Sequence, residues 1–446
     1  MTPAVRFIRG QVIHAPVRGR IDIHPDAFLA IDDESGRITT FHPEIQPEDI
    51  ECLRQAIDTD AARVLVLPPS QFLMPGFVDT HVHAPQYQFT GTATDTPLME
   101  WLNKYTFPVE ASFEDTAVAT EWYSKLIDRM LREGITTAQY FATIHVEATQ
   151  RFVELLEERG QRAFVGLVSM DRNAPQSYMS PSTEQCLIDA ETFIQWTLAK
   201  RNELIQPVVT PRFVPTCTPE LLKGLGELAE KYRVRIQSHI AESHDEEAFV
   251  GMLHPGQRDT KIFQTANLLN PRSCMAHAVH LKDEELDVFS ATKTSIAHCP
   301  LSNFFFANGL LDLRRCWQKG VHVGLGTDIA GGYSPSMLRS IQTAVITSKA
   351  LEVSRAAGEF MALDFKDAFW VATMGGALAL GIESDTGSFG IGKYLDAIVV
   401  DTVRDHTIDI SKRDTPLDIF QKIIHNGDSR NFVRVIIKAR TVHSAT

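Results

Sequence analysis

The spacing of apolar positions changes character twice along the chain. Residues 1 to about 70 carry short β-like runs, Arg6-Phe-Ile-Arg, Ala27-Phe-Leu-Ala-Ile-Asp and Val64-Leu-Val-Leu-Pro, punctuated by Gly, Pro and Asp. The last stretch has the same texture, with Leu395-Asp-Ala-Ile-Val-Val-Asp and Val433-Arg-Val-Ile-Ile-Lys. Between them, short apolar runs alternate with long helical patterns, which is the signature of βα units and a parallel sheet. The runs are Phe77 to His81, Thr136 to Phe141, Arg162 to Met170, Pro207 to Arg212, Arg235 to His239, Cys274 to His277, Thr294 to His298 and Val321 to Thr327. Helical stretches such as Thr116 to Glu133, Pro219 to Tyr232 and Asp283 to Ala291 separate them. Eight such strands over roughly 300 residues predict an α/β fold, a TIM-type (β/α)8 barrel. The expected division is a barrel over 73–380, with 1–72 and 381–446 joining in one small β-sandwich domain.

In a barrel of this kind the chemistry gathers at the C-terminal ends of the strands. Strand one ends in His81-Val82-His83, strand four in Arg212, and strand five in His239 with Glu242 three residues on. Strand six ends in His277, strand seven in His298 and strand eight in Asp328. A random scatter of sixteen histidines would rarely put so many on one rim. Strand side chains repeat every two residues, so His81 and His83 point the same way, about 7 Å apart. Alone, such a pair is as compatible with two surface histidines as with a metal. Joined to His239 and Asp328 it supplies three nitrogens and a carboxylate oxygen, a set that suits zinc and leaves room for water. His277 is either a buried structural histidine or a partner of that water. Glu242 is either a solvated glutamate beside the acidic run Asp245-Glu246-Glu247 or a proton shuttle. His298 reads as a core or hydrogen-bonding histidine.

Composition narrows the partners. A net charge of −13 argues against nucleic acid, which needs a basic face. Six scattered cysteines without CxxC spacing fit neither a disulfide framework nor a zinc ribbon, and read as reduced thiols. Cys299 lies beside a histidine, with nothing else there to make it a nucleophile. The first residues lack the apolar core of a signal peptide, and no run approaches the roughly 20 apolar residues of a membrane span. The expectation is a cytoplasmic protein without a membrane partner.

Several of these segments also carry a family resemblance. Pro75-Gly-Phe-Val-Asp-Thr-His-Val-His, Ser238-His-Ile-Ala-Glu, Met275-Ala-His, Ala297-His-Cys-Pro-Leu-Ser-Asn and Gly324-Leu-Gly-Thr-Asp resemble the mononuclear deaminase branch of the amidohydrolase superfamily. The resemblance runs nearly end to end, including Gly392-Lys-Tyr-Leu-Asp-Ala-Ile-Val-Val-Asp. Within that branch, His83-Ala-Pro-Gln-Tyr, Glu100-Trp-Leu-Asn-Lys-Tyr-Thr-Phe-Pro, Thr210-Pro-Arg-Phe, Gly324-Leu-Gly-Thr-Asp-Ile-Ala-Gly-Gly and Asn426-Gly-Asp-Ser-Arg-Asn are similar to the guanine deaminase family. The run from Trp101 to Pro108 is the most idiosyncratic of these. Arg212 stands where binuclear barrel hydrolases carry a bridging lysine, which points to one metal.

The resemblance implies a purine-catabolic hydrolase that converts guanine to xanthine and ammonia with one Zn2+ per chain. It implies zinc at His81, His83, His239 and Asp328, Glu242 as proton shuttle, and His277 beside the metal-bound water. Substrate contacts fall on Gln86, Arg212 and Phe213, and the family implies a homodimer. Arg212 would donate to the guanine carbonyl, and the Gln86 amide would serve the mixed edge of a purine. Phe213 or Trp101 would stack on the ring or wall it, although both serve equally as core aromatics. Iron also fits a His3Asp set. The rival readings are the same machinery on another aminopurine, a pterin, a cytosine-like ring or a chlorotriazine, and an inactive scaffold on the same barrel. Three departures stand out: Pro85 replaces a small polar residue, Phe304-Phe-Phe enters a loop expected to be polar, and Ala439 occupies a turn position usually held by glycine.

Overall fold

The computed structural model of the chain describes residues 4–355 and 361–445. Its strands, in chain order, begin with β1 (Phe7–His14), β2 (Asp22–Ile31), β3 (Ile38–His42), β4 (Val64–Val66) and β5 (Gln71–Pro75). Eight follow in the middle: β6 (Phe77–His83), β7 (Ile135–Phe141), β8 (Arg162–Ser169), β9 (Ile205–Pro211), β10 (Arg235–Ile240), β11 (Ser273–His277), β12 (Ser295–His298) and β13 (Val323–Leu325). The chain closes with β14 (Ala397–Asp401), β15 (Phe432–Ile437) and β16 (Arg440–Ser444).

The middle eight lie in sequential parallel order, each predicted run within a few residues of an observed strand. Nearly every residue in them is buried, as expected where helices cover the outside and side chains fill the inside. The first and last strands close the ring. Thr80 Oγ1 donates to the Leu325 carbonyl at 2.9 Å, and the Asp328 and His83 amides donate to His81 and Ile329 at 2.9 and 3.1 Å. The covering helices are amphipathic. In Thr116–Arg132, Tyr123, Leu126, Ile127 and Met130 make one buried stripe at helical spacing, and the Asp115 carboxylate caps the first turn.

Both chain ends meet in one mixed sheet of order β16-β15-β14-β5-β1-β2-β3, with β4 beside the start of β1. Ile8, Val12, Leu29, Leu73, Val399 and Ile436, from strands of both ends, share one apolar core. β5 passes to β6 through the single residue Gly76. A Cβ there would lie 2.1 Å from Thr136 Oγ1, so no side chain fits. Arg162, which opens β8, donates from Nε and Nη2 to Asp396 Oδ2 at 3.1 and 3.0 Å, fastening the barrel to this sheet.

The ends are not purely strands and turns. A helix spans Pro47–Asp60, and a second, Pro416–Asn426, lies between β14 and β15. The first buries only Leu53 among its apolar residues, against Phe7 and Phe28, so its sequence carries little periodicity. Among the described residues no helix is long and apolar enough to cross a membrane.

Candidate active site

The two-residue period of β6 puts His81 and His83 on one side, ring centroids 5.0 Å apart. His239, near the end of β10, brings its Nε2 to 2.9 Å from His83 Nε2. Its Nδ1–H donates to the Arg212 carbonyl at 2.6 Å, which leaves a lone pair on Nε2 facing the cluster. Asp328 follows β13 in the left-handed region, φ 49°, and turns its carboxylate inward. Its Oδ1 lies 3.1 Å from His81 Nε2 and 3.7 Å from His83 Nε2. Phe141 packs 4.8–5.0 Å from these three rings.

Burial holds the imidazoles of His81, His83 and His239 well below their ordinary pKa, with neighbouring positive charge adding to the effect. They are therefore neutral and able to donate lone pairs. His81 Nε2 and His83 Nδ1 are buried without hydrogen-bond partners, a cost that a bound cation in this cluster relieves on the His81 side. Three neutral nitrogens and one carboxylate oxygen fit a divalent metal such as zinc. Cys299 also falls within reach of His81, His277 and Asp328. Burial and the adjacent carboxylates push its thiol up, whereas burial leaves the three imidazoles neutral with lone pairs to offer.

His277 ends β11 with φ 71° and donates from Nδ1 to Asn303 Oδ1 at 3.0 Å. Its Nε2 stands between two carboxyls, 3.6 Å from Glu242 Oε2 and 3.9 Å from Asp328 Oδ2. Glu242 is buried, its amide donating to Glu246 Oε2 at 2.7 Å, while the Ala241 amide donates to Asp259 Oδ2 at 3.0 Å. Burial, with the nearby Asp328 charge, pushes the Glu242 carboxyl up to about 8, and Arg212 partly offsets this. A carboxylic acid so placed is protonated at neutral pH and can act as a proton donor. His298 is buried, its imidazole lowered to about 3 by burial, and belongs to the core as expected.

Gln86, Trp101, Arg212 and Phe213 line one pocket together with His83, Glu242, His277 and Asp328. Trp101 packs on Phe306 at 4.7 Å, so the unexpected aromatic run contributes Phe306 to the wall while Phe304 and Phe305 remain exposed. Pro85 sits early in the 3-10 turn Ala84–Phe89 that presents Gln86. Ala439, by contrast, takes φ 62°, the conformation that makes glycine usual at such a turn.

Two residues that sequence reasoning missed organise this site. Asp79, inside the β6 motif, accepts from Thr327 Oγ1 at 2.6 Å and from the Thr327 amide at 3.0 Å, steadying the turn that carries Asp328. Glu110 is fully buried. It accepts from Arg212 Nη1 at 2.5 Å, Arg212 Nη2 at 3.2 Å and Gln86 Nε2 at 2.8 Å. The Arg212 guanidinium also lies 5.1 Å from the centre of the Phe107 ring. The Trp101-to-Pro108 run therefore has a structural meaning: it puts Trp101 in the pocket wall and sets Phe107 and, two residues after Pro108, Glu110 against Arg212 behind it. Glu110 had a faint signal, as an acidic residue beside that run.

The sequence pattern of the Amidohydrolase family matches residues 72–442. The chain is 42% identical to a guanine deaminase of Dictyostelium discoideum over 447 residues, covering 98% of each chain. It superimposes on the crystal structure of guanine deaminase from C. acetobutylicum with bound guanine in the active site, at a TM-score of 0.90 and 29% identity, covering 98% of this chain and 100% of that one. A zinc-bound adenosine deaminase from Xanthomonas campestris aligns at a TM-score of 0.81 and 25% identity, over 98% and 93% of the two chains. The chain belongs to the amidohydrolase family, and within it to the guanine deaminases.

Proposed function

We propose that this protein hydrolyses guanine to xanthine and ammonia, with one zinc ion held by His81, His83, His239 and Asp328. The observation that carries the reading is a pocket in which His83, His239 and Asp328 of this cluster face a buried acid, Glu242, and a fixed guanidinium, Arg212, with His81 directly behind them. Bound zinc supplies Lewis acidity, which makes water a usable nucleophile at neutral pH. The side chains do the rest. Glu242, protonated, gives its proton to a ring nitrogen and makes the amine-bearing carbon electrophilic. His277 orients the attacking water through Nε2, and Asp328 accepts that water's proton at Oδ2. The proton held by Asp328 passes to the departing amine, which leaves as ammonia, and the hydroxyl proton on the added oxygen returns to Glu242 as the ring carbonyl forms.

Arg212 donates to the purine carbonyl oxygen, a partner that the amino group of adenine cannot supply. Gln86 meets the adjoining edge, and Phe213 and Trp101 confine the ring. The guanine bound in the C. acetobutylicum relative supports this substrate. The reading divides the chain into a catalytic barrel over 73–380 and an end domain of 1–72 with 381–446. It also takes the enzyme to be a cytoplasmic homodimer, which light scattering of the purified protein checks.

The test is to incubate the protein with guanine, other aminopurines, a pterin and cytosine, measuring ammonia and metal in the same samples. Guanine turnover with one equivalent of zinc supports the proposal. Preference for another ring, or turnover without stoichiometric metal, overturns it.

A further inference from the structure

Arg212 and Gln86 reach the pocket from different parts of the chain, yet one side chain grips both. Glu110 offers two carboxylate oxygens. Oε2 takes Arg212 Nη1–H at 2.5 Å, while Oε1 takes Arg212 Nη2–H at 3.2 Å and Gln86 Nε2–H at 2.8 Å. The other end of the Gln86 amide is also committed, since its Oε1 accepts from the Ala330 amide at 3.1 Å. A carboxylate only accepts and a backbone N–H only donates, so the amide cannot be turned over without losing both bonds. Arg212 keeps Nε–H and one N–H on each terminal nitrogen. Gln86 keeps one N–H and one lone pair. The pattern of donors and acceptors that meets a ligand is thus dictated from behind, by a residue outside the pocket lining.

We infer that Glu110 is the positioning residue that sets which purine edge this enzyme accepts, by fixing the guanidinium of Arg212 and the polarity of the Gln86 amide. The inference rests on the reading that Arg212 meets the carbonyl of the purine. Without the carboxylate, Arg212 loses its bidentate anchor, and the Gln86 amide becomes free to exchange its donor and acceptor toward the ligand. Selectivity for a carbonyl over a bare ring carbon then declines, while the reacting groups around Glu242 and Asp328 remain.

Hypoxanthine and purine share a ring and differ along this edge, in the carbonyl and in the N1–H beside it, so their inhibition constants against guanine turnover report how the edge is read. The wild-type enzyme binds hypoxanthine more tightly. In Glu110→Gln that preference falls about ten-fold, and the guanine KM rises by more than kcat falls, with zinc content unchanged. Glu110→Asp keeps the charge but shortens the reach, and falls between the two. A soluble Glu110→Gln that retains the wild-type preference ratio overturns the inference, even if its stability drops. Where Glu110→Gln does not fold, an unchanged ratio in Glu110→Asp overturns it equally. A wild-type enzyme with no preference for hypoxanthine instead overturns the carbonyl reading of Arg212, and the Glu110 inference with it.

Discussion

Two buried arginines, one at each end of the barrel, sit in ion pairs of nearly the same chemistry. At the rim, Arg212 and Glu110 have side-chain exposures of 3% and 0%. At the opposite end, Arg162 and Asp396 have 7% and 0%. Each carboxylate takes its arginine and a second residue, and that second partner separates them. For Glu110 it is the side-chain amide of Gln86, which lines the pocket. For Asp396 it is the backbone amide of Lys438, at the turn between β15 and β16. One pair is wired to a ligand-facing side chain, the other to the backbone of the end domain. Burying an ion pair is close to neutral for stability, whereas leaving one member alone is costly. Burial therefore does not reveal what such a pair does; its remaining partner does.

Three substitutions probe this contrast. The largest effect is expected at the reacting centre beside the upper pair. Glu242→Gln removes the proton donor while keeping its shape, and should lower kcat about 10³-fold with zinc retained. Stopped assays with metal analysis check this, and a metal-replete, fully active variant removes Glu242 from the chemistry. Next comes the lower pair. Asp396→Ala strands Arg162 and should destabilise the fold by about 3 kcal/mol, read as a lower denaturation midpoint. The folded fraction should keep kcat/KM within about two-fold, since its partners are structural. A large kinetic defect without lost stability would show that the lower pair communicates with the site. The smallest effect is at the upper pair. Arg212→Lys keeps the charge but loses the planar fork, and should cost about 10–100-fold in kcat/KM, mostly through KM. If zinc content falls in parallel, Arg212 supports the metal cluster, because its carbonyl anchors His239.

Much of this was legible in the sequence because it obeys local rules. The period of two in β6 aligns His81 with His83, and the barrel's habit of placing chemistry at strand ends locates His239, His277 and Asp328. Glu110 obeys no such rule. It sits on the short helix Phe107–Ala111, 102 residues before the arginine it holds, and an isolated glutamate after a proline has no distinguishing chemistry. Asp79 lies inside the readable motif, but its partner Thr327 is 248 residues away. The helix Pro47–Asp60 was missed for another reason. It lies on the outside of the sheet and touches it mainly through Leu53, so its pattern resembles that of a polar loop.

The sheet that unites the chain ends has a consequence for synthesis. β5 is flanked by β1 and β14, and β6 starts one residue after it. Its partner on one side, β14, follows it by about 320 positions. At translation rates of roughly 5–20 residues per second, that edge waits about 15–60 s for its neighbour. Throughout that interval a nascent chain carries an open hydrogen-bonding edge directly joined to the first barrel strand. The same pairing forms late in refolding, since it closes a contact of very high sequence separation. Chains released before residue 401 lack the strand that covers β5, so they are the ones most exposed to edge-to-edge association and to capture by chaperones.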